Sequence, residues 1–368
     1  MLLEGRLARR EGVQHGWLSV EGERVGAVGT GPPPRTPDER HDGIIAPGLI
    51  DLQVNGAAGR EVTGGPEALD VIDATQLAHG VTSYLPTIVT TTPEVQARAA
   101  GELADRVRDP RSPVEGIHLE GPFLSPAHAG MHATELLRSP AQGIPPAYAS
   151  GALRLVTLAP ELAGAIELTG ELRRRGVAVA LGHSGADAET VGAAIERGAA
   201  LVTHLFNAMA PLHHRRPGLV GTALGDERMT MTVIADGVHV HPLVLAMIRR
   251  AAVGRTILVS DSSPAAAAPA GRYQMAGIEI EGAPGGPVLT ASGALAGSSL
   301  TLDAAVRNWM ALTGASLSEA LCAAGERAAA AVGLSAGLYP GAWADIVLFD
   351  EAGDVVRVMR RGRFTDSN

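Results

Sequence analysis

The stretch VAVALGHSGADAETVGAAIERGAALVTHLFNAM, residues 177–209, holds a complete strand–helix–strand unit. Val177–Leu181 is an unbroken apolar run that ends in Gly182-His183-Ser184. Ala186–Arg197 then carries apolar residues at helical spacing, and Ala200–His204 is a second apolar run ending in Thr203-His204. A strand with no polar alternation is buried on both faces, and two such strands joined by a helix are parallel.

The same unit repeats outward in both directions. Apolar runs fall at Gly48–Val54, Thr82–Thr87, Glu115–Leu119 and Arg154–Leu158 before it, and at Met229–Ala235 and Thr256–Ser260 after it. Helical patterns separate most of them, at Pro66–His79, Pro93–Val107, Glu161–Arg175 and Pro242–Val253. Eight alternating units predict an α/β fold closed as a (β/α)8 barrel, with an open doubly wound sheet as the alternative. Further helices are expected over Leu300–Leu312 and Leu317–Ala331.

The ends read differently. Leu2–Leu7, Trp17–Val20 and Arg24–Val28, and at the other terminus Ala344–Phe349 and Val355–Val358, are short strands between turns. They predict a small β-sandwich built from both termini. The expected domains are residues 1–45 and 336–368 for that unit and 46–335 for the barrel, with a β insertion at about 272–295.

Composition narrows the classes. The chain is 46% hydrophobic and only 3% aromatic, so aliphatic side chains must fill its layers. A formal charge of −9 argues against a nucleic-acid partner. No apolar stretch is long enough to span a membrane, and Glu4, Arg6, Arg9 and Arg10 break up any signal-like run. Cys322 is the one cysteine, so no internal disulfide is available, and a cytoplasmic location is expected.

In a barrel of this kind, chemistry sits where the strands end. Run one ends in Asp51-Leu52-Gln53-Val54-Asn55, run three in His118-Leu119-Glu120, run five in His183, run six in His204, run seven in Asp236 to His239, and run eight in Asp261. Glu120, His183 and His204 make a suitable ligand set for a divalent ion, zinc first, with iron, cobalt or manganese also compatible. Such an ion activates water and polarises a carbonyl. Asp261 would take the water's proton and pass it to a leaving nitrogen, which completes an amide hydrolysis apparatus.

The motifs APGLIDLQVNG (46–56), GIHLEGPFLSPAHAGMH (116–132), LGHSGA (181–186), THLFNAMAPLHHRRPGLVG (203–221), VIADGVHV (233–240), LVSD (258–261) and GALAGSSLTLDAAVRN (293–308) give the chain a resemblance over nearly its whole length. It resembles the N-acetylglucosamine-6-phosphate deacetylases of the amidohydrolase superfamily. The resemblance implies one metal ion per chain on Glu120, His183 and His204, and Asp261 as acid/base. It implies His132 as the group on the acetyl carbonyl or a hydroxyl, and Asn207, Ala208 and Arg215 on the sugar phosphate, with the adjacent Arg216 as the alternative to Arg215. It further implies His239, Met131, Leu295, Ala296 and Gly297 around the sugar. It implies a homodimer in which Arg215 reaches the neighbour's site. Three features depart from common patterns, the first being Ser262-Ser263-Pro264 after Asp261, where an alanine is frequent. Gln53-Val54-Asn55 replaces the His-x-His of two-metal relatives, and Ala296 stands where a serine is frequent. The substrate expected is N-acetyl-D-glucosamine 6-phosphate; the alternatives are its galacto epimer or a non-catalytic binding barrel.

Overall fold

The computed structural model describes residues 1–365. Eight parallel strands, Leu49–Val54, Val81–Val89, Ile117–Glu120, Leu153–Leu158, Ala178–Leu181, Leu201–Val202, Thr230–Ile234 and Thr256–Val259, lie side by side in chain order. The first and last meet through a Val54–Ser262 bridge and through the N–H groups of Asn55 and Gly56, which donate to the Ser262 carbonyl at 2.8 and 3.2 Å. That contact closes the sheet and excludes the open doubly wound arrangement. Every residue of Leu49–Val54 and Val81–Val89 is buried, as strands covered on both faces require.

Helices begin where local chemistry starts them. Thr92 caps Pro93–Arg108 by accepting from the Val95 N–H, and Asp187 caps Ala188–Glu196 by accepting from Thr190. Pro66, Pro93 and Pro242 each sit in a first turn, where a missing N–H costs nothing. The expected Leu317–Ala331 helix is instead two, Leu317–Ala323 and Glu326–Ala331. The break frees the Ala324 carbonyl to accept from Ile50 N–H at 2.7 Å, tying this segment to the first barrel strand. Gly218–Gly225 is a helix that periodicity missed, since three glycines in eight residues hide its signal. After the third strand there is no α-helix; short 3₁₀ turns from Pro126 to Ala149 form a long loop over the barrel mouth.

The small β-sandwich takes the form of one curled sheet. Its order is Arg363–Phe364, Val355–Arg360, Ile346–Phe349, Glu39–Pro47, Leu2–Arg9, Gly12–Glu21 and Arg24–Thr30. Strands from both termini therefore share it, and Glu39–Pro47, unmarked in the sequence reading, joins the two groups. The edge strand curls round to bridge Arg24 to Trp343. A four-stranded sheet, Gly271–Met275, Ile278–Gly282, Pro287–Thr290 and Leu295–Ser298, follows the eighth barrel strand and packs beside the mouth. No helix among the described residues is long and apolar enough to cross a membrane.

Candidate active site

The strand ends converge on one cavity of about 230 Å³ at the mouth. Glu120 is the last residue of the third strand, and His183, His204 and Asp261 each lie two residues past a strand end. Backbone strain marks the same places. His183, His204, Ala208 and Asp261 all take positive φ, at 49°, 30°, 50° and 48°. Side-chain-bearing residues rarely adopt that region, and such conformations gather at functional sites where surrounding structure enforces them.

Three acceptor-capable atoms meet here. Glu120 Oε1 lies 3.0 Å from His204 Nε2 and 3.3 Å from His183 Nε2, and the two imidazole nitrogens are 3.2 Å apart. His183 Nδ1–H donates to the His128 carbonyl at 2.9 Å, so its Nε2 presents a lone pair. A lone pair facing a carboxylate oxygen at 3.3 Å calls for a cation between them. Ligands about 2.0–2.1 Å from a tetrahedral ion stand about 3.3 Å apart, which is the spacing observed. The residues therefore fit a metal ion. Gln53 Nε2 donates to both oxygens of Glu120 at 3.2 Å and fixes the carboxylate plane. Burial alone would raise the Glu120 pKa; bonds to His183 and His204 hold it well below the usual range.

His132 offers a second possible ligand, since Glu120, His132 and His183 also have ligand atoms within 4.8 Å of one another. Its hydrogen bonding points to another role. Two groups of Thr90 meet His132 Nδ1, the hydroxyl at 2.9 Å and the backbone N–H at 3.3 Å; an amide N–H can only donate, so Nδ1 accepts and the hydroxyl donates to it as well. In neutral His132 the proton is therefore on Nε2, 4.0 Å from Glu120 Oε2 and turned to the cavity. Burial pushes the His132 imidazolium down to about 3, so the ring is neutral and a donor.

Asp261 is buried across the cavity and takes one hydrogen bond, from Asn55 Nδ2–H to its Oδ1 at 2.8 Å. Burial, and next the Glu120 charge, raise its pKa to about 6. His239 lines the cavity with Nδ1 2.6 Å from Asp236 Oδ2; Asp236 Oδ1 also accepts the N–H groups of Val238 and His239. Asp236 is thus a partner that the sequence reading left without a role.

Among the other expected contacts, Met131, Asn207, Ala208, Leu295 and Gly297 line the cavity. Ala296 does not; strand alternation turns its side chain into the core of the small sheet, with Ile280 and Val288. Asn207 spends its N–H and Nδ2 inside the turn, on the carbonyls of His204 and Leu205. Arg215 lies on an exposed loop and is not part of its own chain's cavity. Val89, Ile234 and Met275 complete the apolar wall, Met275 from the inserted sheet. Nothing local in the sequence distinguishes them.

A parallel barrel whose mouth gathers a carboxylate, imidazoles and an opposed buried carboxyl belongs to the metal-dependent hydrolases. The chain belongs to the amidohydrolase family, whose pattern it matches over residues 44–365. It is 38% identical to the N-acetylgalactosamine-6-phosphate deacetylase of Escherichia coli O157:H7, over 97% of each chain. It is 37% identical to the human N-acetylglucosamine-6-phosphate deacetylase, over 86% of this chain and 83% of the relative. Its structure is similar to that of an aspartate-to-alanine variant of the N-acetyl-D-glucosamine-6-phosphate deacetylase of Mycobacterium smegmatis, in complex with N-acetyl-D-glucosamine-6-phosphate. That likeness has a TM-score of 0.94 at 34% identity, covering 99% of this chain and 98% of that one.

Proposed function

We propose that this chain removes the acetyl group from N-acetyl-D-glucosamine 6-phosphate, giving D-glucosamine 6-phosphate and acetate. The carrying observation is the opposition, in one cavity, of three converging ligand atoms and a buried carboxyl. Glu120, His183 and His204 would hold a divalent ion, which when bound would make a water acidic enough to ionise near neutral pH and would polarise the acetyl carbonyl. Two imidazoles and a carboxylate at tetrahedral spacing favour zinc. Gln53, whose amide already serves Glu120, supports one ion per chain.

Asp261 is placed to take the proton of the attacking water and return it to the departing nitrogen. His132 Nε2–H donates to the carbonyl oxygen as charge develops there. Met131, Leu295 and Gly297 flank the sugar, with His239 on a polar group of it. The Ala208 N–H binds the phosphate, and Arg215 from a second copy of the chain supplies its counter-charge, a pairing suited to the guanidinium fork. The working unit of this reading is a homodimer.

The galacto epimer is the second reading, carried by the Escherichia coli O157:H7 relative, which aligns over nearly all of both chains. The test is acetate release by the metal-analysed protein from N-acetyl-D-glucosamine 6-phosphate, its galacto epimer and the unphosphorylated sugar. Fastest release from the first supports the proposal. Fastest release from the second transfers it to the epimer, and none from any of them removes the deacetylase reading.

A further inference from the structure

Seven of the eight barrel strands send a residue at or just past their ends into the cavity lining; the fourth, Leu153–Leu158, sends none among the described residues. It is followed by Ala159-Pro160-Glu161, and Glu161 reaches sideways to the turn after the fifth strand. The Ser184 hydroxyl donates to Glu161 Oε2 at 2.7 Å, and the Gly185 N–H donates to Oε1 at 2.8 Å. The Ser184 oxygen in turn accepts the Ala186 N–H at 3.0 Å, so the hydroxyl is used in both senses. Ser184 and Gly185 directly follow His183, whose φ is 49°. A residue with a Cβ stays in that region only where its neighbours hold it there. Other ties flank the turn: the His183 carbonyl accepts the Ser125 N–H at 3.0 Å, and the Ser184 N–H donates to the Ala208 carbonyl at 3.1 Å. His128, whose carbonyl takes the His183 Nδ1–H, lies against Gly185, where a Cβ would stand 2.7 Å from its Nε2.

We propose that Glu161 is a positioning residue for the metal ligand His183, clamping the 183–185 turn through both carboxylate oxygens so that His183 Nε2 stays aimed at the ion. This inference rests on the metal reading of the proposed deacetylase site. Two things must be fixed for an imidazole to serve as a ligand: the rotation of its ring and the backbone from which the ring hangs. The bond to the His128 carbonyl fixes the first. Glu161 fixes the second, from the side of the barrel that otherwise gives nothing to the cavity. His183 Nε2 stands 3.3 Å from Glu120 Oε1 and 3.2 Å from His204 Nε2, separations that suit one ion between them. A turn released from its left-handed conformation would carry the ring out of that spacing. Glu161 is not part of the cavity lining, so its effect falls on ion affinity and not on sugar recognition. The requirement is for hydrogen bonding more than for charge. A glutamine can accept the Gly185 N–H on its oxygen and donate from its amino group to the Ser184 oxygen.

The test compares Glu161→Ala and Glu161→Gln with the parent, each as metal-free folded protein, and reads the zinc dissociation constant by competition with a chelator. Affinity measured on folded protein does not move with a mere loss of overall stability, and the metal-free melting temperature confirms that each variant is folded. Glu161→Ala should weaken zinc binding about 10-fold or more, the size usual when a group that orients a ligand is lost. Glu161→Gln should stay within about 3-fold of the parent. Should Glu161→Ala fail to fold, Ser184→Ala, which removes the buried half of the clamp, decides in its place and should weaken binding about 3-fold or more. Smaller losses than these overturn the proposal, and so does a glutamine variant as weak as the alanine one. A parent that takes up no zinc overturns the metal reading, and this inference with it; a parent that binds zinc, beside indifferent variants, overturns this inference alone.

Discussion

Asp51, inside the first barrel strand, accepts the backbone N–H of Ser260 at the end of the eighth, 3.3 Å from each of its carboxyl oxygens, and the N–H of Gln53 at 3.1 Å. The side chain thus does, at the seam, what a ladder hydrogen bond does elsewhere in the sheet. It also sets the height of Gln53, which holds Glu120, relative to Asp261 just past the end of the neighbouring eighth strand. Asp51→Ala strands two buried N–H groups and should cost about 2–4 kcal/mol, read from urea unfolding. Burial raises the Asp51 pKa to about 7. The folded state then keeps a proton that the unfolded chain releases near 4, so folded protein binds more protons across that window. Stability should fall as pH rises from about 4 to about 7, and Asn at this position should remove that decline. A slope unchanged in Asp51→Asn would count against it.

His132 is assigned as a donor because Thr90 N–H occupies its Nδ1. Gln extends its amide to the place of Nε2, whereas Asn stops at the place of Nδ1. His132→Gln should therefore keep kcat within about 10-fold of the parent, and His132→Asn should lose about 10²–10³-fold. Metal content should match the parent in both. Loss of the metal in either would make His132 a ligand, and the reverse order of rates would make it an acceptor.

Much of this architecture could be read in advance because parallel barrel strands announce themselves as bare apolar runs. All eight were placed within a few residues, and Glu120, His183, His204 and Asp261 stood out as polar residues ending such runs. What could not be read depends on distant partners. The Glu39–Pro47 strand pairs with both Leu2–Arg9 and Ile346–Phe349, a join no local pattern encodes. Met275 reaches the cavity only because its sheet folds back over the mouth. Strand-end position singles out His204 rather than His132 as a ligand, but the group that turns His132 to another role, Thr90, lies 42 residues from it.

Asp303, in the first turn of Leu302–Thr313, lies 3.1 Å from both His79 Nδ1 and Arg307. Burial opposes its charge, but the His79 bond and then Arg307 outweigh it and bring the pKa to about 2. The unfolded chain takes up its proton near 4, so the stabilisation is full above that and lost as pH falls towards 2. The shift corresponds to about 2 kcal/mol. Asp303→Asn should lower stability at pH 7 by that order and flatten the acid limb between pH 4 and 2, with acetate release unchanged per folded molecule. Equal acid limbs in parent and variant would remove the role given to this cluster.

Arg215 stands on an exposed loop, outside its own cavity, and the residues lining that cavity include no Lys or Arg. A phosphate held at Ala208, in a cavity that already carries the carboxyls of Glu120 and Asp261, needs a cation from elsewhere. Arg215→Ala should raise KM for the phosphorylated sugar about 10-fold or more, leave the unphosphorylated sugar unaffected, and change stability by less than about 0.5 kcal/mol. Whether the guanidinium comes from a second copy is decided by mixing. Arg215→Ala keeps a working Asp261, and Asp261→Asn keeps Arg215. At substrate well below KM each variant alone should be nearly silent. Co-expressed, the proposed homodimer would include mixed pairs in which the Asp261→Asn subunit lends Arg215 to the intact site of its partner. Recovery of acetate release in the mixture establishes the exchange. No recovery, with mixed dimers demonstrated, returns Arg215 to its own chain and would require the 211–217 loop to fold inward on binding.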